Sequence, residues 1–336
     1  MAPEPYVFPT AREVRRLLNT EGLSPQKRWG QNFLIDEGYA TRIVDLAAPE
    51  PARRADPDGA AAANGASTAN GAAALRGASA ADGATDPPPG LHIWEIGPGV
   101  GALTGILLNR GCRVVAFEID WGLTRVLSRR FIEEPRLRVR QGDAVREWEK
   151  EHGEGPAPDA VIGNLPYRSA SAIIGSFLEH RFVPPVQVFT VQREVADRMI
   201  AAPGSRTYSA FSVLVQTIST PRRAFDVPPG AFFPAPEVNS SVVVLTPRSS
   251  ADTTAAPALD EWALFLRLLR ELFRSRRKMI RKAVGEFVGN EGCRRSGEEI
   301  LAECGLRPDM RAEALEPEDF LRLARAIHRD VTGPAG

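Results

Sequence analysis

The stretch Leu91-His92-Ile93-Trp94-Glu95-Ile96-Gly97-Pro98-Gly99-Val100-Gly101-Ala102 decides the fold. Residues 91–96 form a short apolar strand, and the glycines after it cannot continue one. Helical spacing follows at once, with Leu103, Ile106, Leu107 and Leu108 within 102–109. Strand, glycine-rich turn and helix in immediate succession open a βαβ unit. The pattern then repeats. Residues 113–119 are a second strand (Val114, Val115, Phe117, Ile119), 123–132 a helix and 137–140 a short third strand. Residues 159–163 are a buried fourth strand, 171–180 a helix, 186–191 a fifth strand and 241–245 one more. Strands separated by helix-length segments predict an α/β fold with a parallel, doubly wound sheet and right-handed crossovers.

On either side of this unit the composition changes. Residues 51–90 are mostly Ala, Gly, Pro, Asn, Ser, Thr and Asp, and Leu75 is their only large apolar residue. Such a stretch cannot bury enough apolar surface to offset its ordering entropy, so a disordered insertion is expected. From Leu259 onward the spacing is helical. Asp260 is expected to cap a long helix beginning Glu261-Trp262, residues 298–304 to form a helix stopped by Gly305, and Pro317 to open a last one. The expected domains are an extension over 1–26, an α/β domain over 27–247 carrying the insertion, and a small all-helical domain over 258–330.

The chain has 336 residues with 42 Lys plus Arg against 42 Asp plus Glu. A net charge of zero excludes a uniformly basic coat but not a local basic face. No run reaches the ~18 apolar residues of a membrane span. Residues 1–16 hold no apolar signal core and carry Glu4 and Glu13. Cys112, Cys293 and Cys304 form no C-x-x-C pair, which suggests neither a zinc site nor a disulfide framework. The expectation is a cytoplasmic protein with reduced thiols, no metal and no membrane.

The glycine loop supports two ligands. Gly97, Gly99 and Ala102 fit G-x-G-x-x-A, and Glu118 lies at the spacing of a carboxylate that holds a nicotinamide dinucleotide's ribose. S-adenosylmethionine (AdoMet) also wants a carboxylate at the end of the second strand, for its ribose diol, but brings no pyrophosphate. Glu95, just before the glycines, suits a cationic sulfonium better than a pyrophosphate. A tight turn without any ligand is the third reading.

The fourth strand ends in Asn164-Leu165-Pro166-Tyr167. An exocyclic adenine amine is a poor nucleophile, because its lone pair is delocalised into the ring. The Asn164 side-chain oxygen and the Leu165 carbonyl can each accept one of its N–H bonds, which favours pyramidalisation and aims the lone pair at a methyl donor. Tyr167 can stack on a flipped base, and Pro166 fixes the turn. Catalysis is then positioning for in-line displacement, which matches the lack of a Ser/His/Asp or paired-carboxylate constellation. An ordinary proline turn is the bland alternative. It weakens beside the glycine loop, Glu118 and the Gly142-Asp143-Ala144 turn, where Asp143 can accept from a cofactor's adenine amine.

With these motifs the chain resembles the ribosomal RNA adenine N6,N6-dimethyltransferases of the KsgA type, over nearly its whole length outside 51–90. Lys27-Arg28-Trp29-Gly30-Gln31-Asn32-Phe33-Leu34 is similar to the family's first motif, and Phe232-Phe233-Pro234-Ala235-Pro236-Glu237-Val238-Asn239-Ser240-Ser241 to its F-x-P-x-P-x-V-x-S loop. Residues 192–198, 273–282 and 310–313 match further segments. Arg168 and Asn239 depart from the usual Asn and Asp. The resemblance implies a Rossmann-like class I AdoMet-dependent methyltransferase with a small C-terminal all-helical domain, acting as a monomer. It implies AdoMet contacts at Asn32, Leu34, Gly97, Gly99, Glu118, Asp143 and Asn164. It also implies that Phe232 packs on the target base opposite Tyr167. The implied reaction is dimethylation of two adjacent adenosines near the 3′ end of small-subunit rRNA in an assembling 30S particle. The alternatives are a large-subunit adenine methyltransferase of the macrolide-resistance type, and a non-catalytic assembly or transcription factor.

A nucleic-acid partner is also expected from charge. Residues 267–282 hold eight basic residues and one acid, Glu271. Arg270, Arg274, Arg277 and Arg281, with Lys278, fall at helical spacing on one predicted stripe, an RNA-binding face. Arg12, Arg15, Arg16, Lys27 and Arg28 form a smaller cluster.

Overall fold

The structure, a computed structural model, describes residues 5–25, 31–47, 90–248, 258–274 and 278–333. Of the 51–90 insertion only Gly90 is among them, and Lys27, Arg28 and Arg277 lie outside them. Helix α1 spans Ala11–Thr20, strand β1 Phe33–Leu34 and helix α2 Glu37–Ala47. The alternating unit follows as β2 (His92–Ile96), α3 (Ala102–Asn109), β3 (Arg113–Glu118), α4 (Trp121–Arg130), β4 (Leu137–Gln141), α5 (Ala144–Glu154), β5 (Ala160–Asn164), α6 (Ala170–Glu179) and β6 (Val186–Gln192). Then come α7 (Arg193–Met199), α8 (Ala210–Ile218), β7 (Ser219–Val227), β8 (Phe232–Phe233) and β9 (Ser240–Pro247). The C-terminal helices are α9 (Leu259–Arg274), α10 (Ile280–Asn290), α11 (Gly297–Glu303) and α12 (Pro317–Thr332).

The main sheet has seven strands in the order β4-β3-β2-β5-β6-β9-β7. Strands β2 to β6 are mutually parallel, and at one edge β9 runs antiparallel to both of its neighbours, β6 and β7. The parallel expectation thus holds in direction for six of the seven strands, and β9 alone runs against them. Strand β7 escaped the sequence reading because it contains Pro221. Proline cannot donate to a ladder, and β7 tolerates it as the edge strand. Helix α5 also escaped: only Ala144, Trp148 and Glu151 are buried, so its apolar stripe is thin. Its start is legible instead in Asp143, whose side chain caps Val145 N–H at 3.0 Å.

Apolar residues cover both faces of the sheet. One face carries α2 and α3 over Ile93, Val114, Ile162 and Val188. The other carries α5, α6 and α8, and its apolar cluster runs on without a break into α9 to α12. Trp262 and Phe265 of α9 belong to the same cluster as Phe177 and Tyr208. Tyr208 donates its hydroxyl to the Leu315 carbonyl at 2.9 Å, and Trp262 Nε1 donates to the Glu179 carbonyl at 2.6 Å. The helical domain is therefore fastened through a common core rather than tethered by a loop.

Two expectations need correction. The segment 267–282 is not one helix. Helix α9 ends at Arg274, and Met279 is extended (φ −62°, ψ 140°) and bridges Arg311 before α10 begins. Asp260 sits inside the first turn of α9, not at its cap. The N-terminal segment, for its part, is docked on the α/β domain. Val14 and Leu18 are buried, and Tyr6 exchanges hydrogen bonds with Asn109 at 2.8 and 2.9 Å.

Candidate active site

Strand order reverses between β2 and β5: the chain runs outward through β3 and β4, then returns to the other side of β2. At such a switch point the crevice beyond the carboxyl ends of the strands is open to a ligand. A cavity of about 360 Å³ lies there. It is walled by the loops after β2, β3, β4 and β5 and by Asn32 and Phe33. That volume suits a small-molecule cofactor.

The loop after β2 approaches the cavity with bare backbone. Gly97, Gly99 and Gly101 have φ of +67°, +61° and +83°, which L side chains rarely adopt. A Cβ at Gly99 would also stand 3.0 Å from the Phe33 ring. Glu118 ends β3 and is buried. One carboxylate oxygen accepts Gly99 N–H at 3.1 Å and the other Asp120 N–H at 2.9 Å. Burial raises its pKa to about 7, against the pull of those two donors. A carboxylate has further lone pairs, so Glu118 can still accept from a ribose diol.

The Gly99 amide is thus already bound to a carboxylate, and a pyrophosphate would meet that negative charge instead of free N–H donors. This disfavours the dinucleotide reading. Glu95 lies beneath the loop at 1 % exposure, where Thr104 Oγ1 of α3 donates to it at 2.6 Å. It ties strand to helix, and burial lifts its pKa to about 7 as well. Two buried carboxyls under the loop suit a cationic ligand. The residues present therefore fit AdoMet: Glu118 would hold the ribose, Asp143 and the exposed side chain of Ile119 would receive the adenine, and the glycine loop would face the amino-acid end.

At the end of β5 the structure orients Asn164. Its Nδ2 donates to the Asn32 carbonyl at 2.8 Å, which turns Oδ1 away as the free acceptor. The Leu165 amide is held by the Thr190 carbonyl of β6 at 3.0 Å. No backbone donor among the described residues takes the Leu165 carbonyl. The Pro166 carbonyl accepts Ser169 and Ala170 N–H, both at 3.0 Å, and so leads the turn into α6. The Tyr167 hydroxyl pairs with Ser240 Oγ of β9 at 2.6 Å, and burial raises its pKa. Its ring is thereby fixed on the cavity wall.

The structure brings Asn32, Gly97, Gly99, Glu118, Asp143, Asn164, Leu165, Pro166 and Tyr167 to one cavity, and Leu34 lines it beside Phe33. It does not bring Phe232 there. That residue is 2 % exposed, packed in the core and paired with Leu34 across the small β1–β8 sheet. Successive strand side chains point to opposite faces, so Phe233 turns the other way, half-buried against the cluster of Val14, Leu18 and Phe33. Sequence reading missed the Asn32 carbonyl, Ser240 and Thr104 as partners, because each pairing joins positions that only the fold brings together.

The expected RNA stripe is altered too. Arg270 pairs with Glu179 of α6 at 2.8 Å, Arg267 with Glu291 of α10 at 2.7 Å, and Arg274 with Glu271 at 3.5 Å. Lys278 and Arg281 remain exposed cations without an ion pair among the described residues. Acidic partners from other elements interleave where the local sequence holds only Glu271.

Among the described residues no three His, Cys, Asp or Glu gather into a possible metal site, and no helix is long and apolar enough to cross a membrane. The chain matches the family described as "Ribosomal RNA adenine dimethylase" over residues 22–329. A ribosomal RNA small subunit methyltransferase A of Treponema denticola is 31% identical over 97% of both chains. A protein of the same name from Geobacter metallireducens is also 31% identical, over 91% of this chain and 97% of its own. A dimethyladenosine transferase of Plasmodium falciparum shares the fold at a TM-score of 0.61 and 22% identity, covering 87% of this chain and 95% of that one. The 23S rRNA methyltransferase ErmE does so at 0.55 and 21%, covering 88% of this chain and all of that one. A buried carboxylate, a bare glycine loop and an anchored Asn meet at one switch point, and the chain belongs to the ribosomal RNA adenine dimethylase family.

Proposed function

We propose that the chain dimethylates N6 of two adjacent adenosines in the 3′-terminal hairpin of small-subunit (16S) rRNA, in the assembling 30S particle, as a cytoplasmic monomer. The observation that carries the adenine chemistry is the anchoring of Asn164 on the Asn32 carbonyl at 2.8 Å, beside the unclaimed Leu165 carbonyl. Two acceptors held at a fixed angle match the two N–H bonds of one exocyclic amine. Bound AdoMet supplies an electrophilic methyl on its sulfonium, open to in-line displacement. Asn164 and Leu165 draw the amine hydrogens into their own plane, and the lone pair then points out of the base. Tyr167, immobilised by Ser240, offers a ring face to the flipped base. Proximity and orientation of this kind lower a barrier without any acid or base, by up to about 7–11 kcal/mol in favourable cases. The small-subunit target is supported by the names of full-length relatives at about 30% identity.

The test is methylation of undermethylated 30S subunits, 50S subunits and naked rRNA, with the modified bases mapped. Dimethyladenosine at adjacent positions near the 3′ end of the 30S rRNA is expected. A product confined to 50S would move the chain to the large-subunit type. RNA binding without any methyl transfer would favour the non-catalytic assembly role.

A further inference from the structure

Helix α1 presents an unusual outer face. Arg12, Arg15, Arg16 and Asn19 stand at i, i+3, i+4 and i+7 on α1, and all four are exposed. None of the three arginines has an ion pair among the described residues. The C-terminal stripe contrasts with this, since Arg267, Arg270 and Arg274 are each matched by a glutamate. Like charges at i, i+4 repel, so Arg12 and Arg16 oppose the helix that carries them. The helix is held by other means: a capping box in which Thr10 N–H and Oγ1 donate to Glu13 at 2.9 and 2.8 Å, and the burial of Val14 and Leu18.

The buried side of α1 leads to the cavity. Val14 and Leu18 share an apolar cluster with Phe33, Val100 and Leu123, and those three residues line the cavity from its other side. On the outer side the Arg15 guanidinium lies 4.9 Å from the centre of the Phe233 ring. Phe233 pairs with Phe33 in the small sheet. Guanidinium, half-buried aromatic and cavity wall therefore form one continuous surface. A guanidinium stacked on a ring keeps its N–H edge free for a phosphate oxygen.

We propose that this face of α1 seats the phosphate backbone of the RNA strand that flanks the target adenosine, with Arg12, Arg15 and Arg16 each taking phosphate and Phe233 offering a stacking surface to a neighbouring base. The inference rests on the rRNA reading above and adds where the strand leaves the cavity. It makes α1, which is continuous with the site, a stronger RNA seat than α9, whose arginines are already paired. Single-stranded RNA suits such a surface, because basic side chains track its backbone while an aromatic ring stacks on whichever base is presented.

The test compares Arg12→Gln/Arg15→Gln/Arg16→Gln with wild type and with Lys278→Gln/Arg281→Gln, measuring binding of naked small-subunit rRNA against salt. Each lost phosphate contact should lower the slope of log affinity against log salt by about 0.7–0.9, so the triple variant should lose about 2 in slope. Its RNA affinity should fall at least about tenfold at 0.1 M salt, and its AdoMet affinity and melting temperature should stay at wild-type values. Unchanged slope and affinity in the triple variant would overturn the proposal. If that variant folds poorly, Arg12→Gln/Arg16→Gln keeps the Arg15–Phe233 stack and should lose about two-thirds as much slope. Binding is read without methyl transfer, so failure to methylate 30S would count against the reaction and leave the α1 result standing.

Discussion

Asn164 acts through one atom. Its amide nitrogen is spent on the Asn32 carbonyl, and in the proposed reaction its oxygen takes the substrate amine, so replacing it removes an aligned acceptor and at most one of the seven implied AdoMet contacts. Asn164→Ala should cut methyl transfer at least about 100-fold, the usual effect of losing one preorganised polar partner in a transition state. AdoMet affinity should stay within a few-fold. Single-turnover methylation and calorimetric titration check the two halves separately, and wild-type turnover would remove Asn164 from the chemistry. The motif itself was legible, since Asn-Leu-Pro-Tyr at a strand end is unusual enough to read in one dimension. The orientation of the amide was not, because its anchor lies 132 residues away in sequence. Phe232 and Phe233 show the same limit more sharply. Two adjacent aromatics cannot be told apart by composition, and only the register of β8 against β1 sends the first into the core.

The glycine loop and its neighbouring helix behave as an element under constraint. Gly101 holds φ of +83°, and a Cβ there would collide with the Phe131 ring. Gly101→Ala should therefore destabilise the fold by about 2–3 kcal/mol, seen as a drop of several degrees in melting temperature. Glu95 beneath the loop makes the element sensitive to pH. Its pKa is raised from 4.5 to about 7 on folding, so the folded state binds its proton more tightly than the unfolded chain does. Its contribution is fully present below about 4.5 and is lost as pH rises through about 7. Glu95→Gln keeps an acceptor for Thr104 and never ionises. It should match wild type at pH 5 and exceed it at pH 8 by on the order of 3 kcal/mol. Thermal melts of both proteins from pH 5 to 8 would show parallel curves if the buried carboxyl were not responsible. The basic stripe at 267–282 failed at this scale. Helical spacing runs through the segment, but Met279 is extended and bridges Arg311, so α9 and α10 are separate helices.

For the whole molecule, the seven-stranded sheet and the common core fix where the parts can stand. The described chain leaves off at Ala47, the end of α2, and resumes at Gly90 before the amino end of β2, whereas Asn164 stands at the carboxyl end of β5. Deleting residues 55–86 should leave the melting temperature within a few degrees and methyl transfer within about twofold, as expected of a polar segment that adds little buried area. Calorimetry and a 30S methylation assay check this, and a large loss of either would show that the segment packs on the fold. The helical domain is different, because Trp262, Phe265 and Tyr208 bury against one another, and cutting the chain before α9 would expose that shared core.

Local order settled much of this protein in advance. The strand–glycine–helix run at 91–109, the spacing to Glu118 and the turn at Asn164 each follow from periodicity, backbone sterics and short-range chemistry, and they were enough to single out a ligand crevice at the carboxyl ends of the strands and Asn164 as a candidate residue in it. What the tertiary structure decided is which of those residues face the crevice and which charges stay free. Glu179 and Glu291 neutralise arginines that look unpaired along the chain, while three arginines on α1 keep their charge beside the cavity wall. Electrostatic pairing and side-chain facing depend on distances between elements, and a sequence carries those distances only after it has folded.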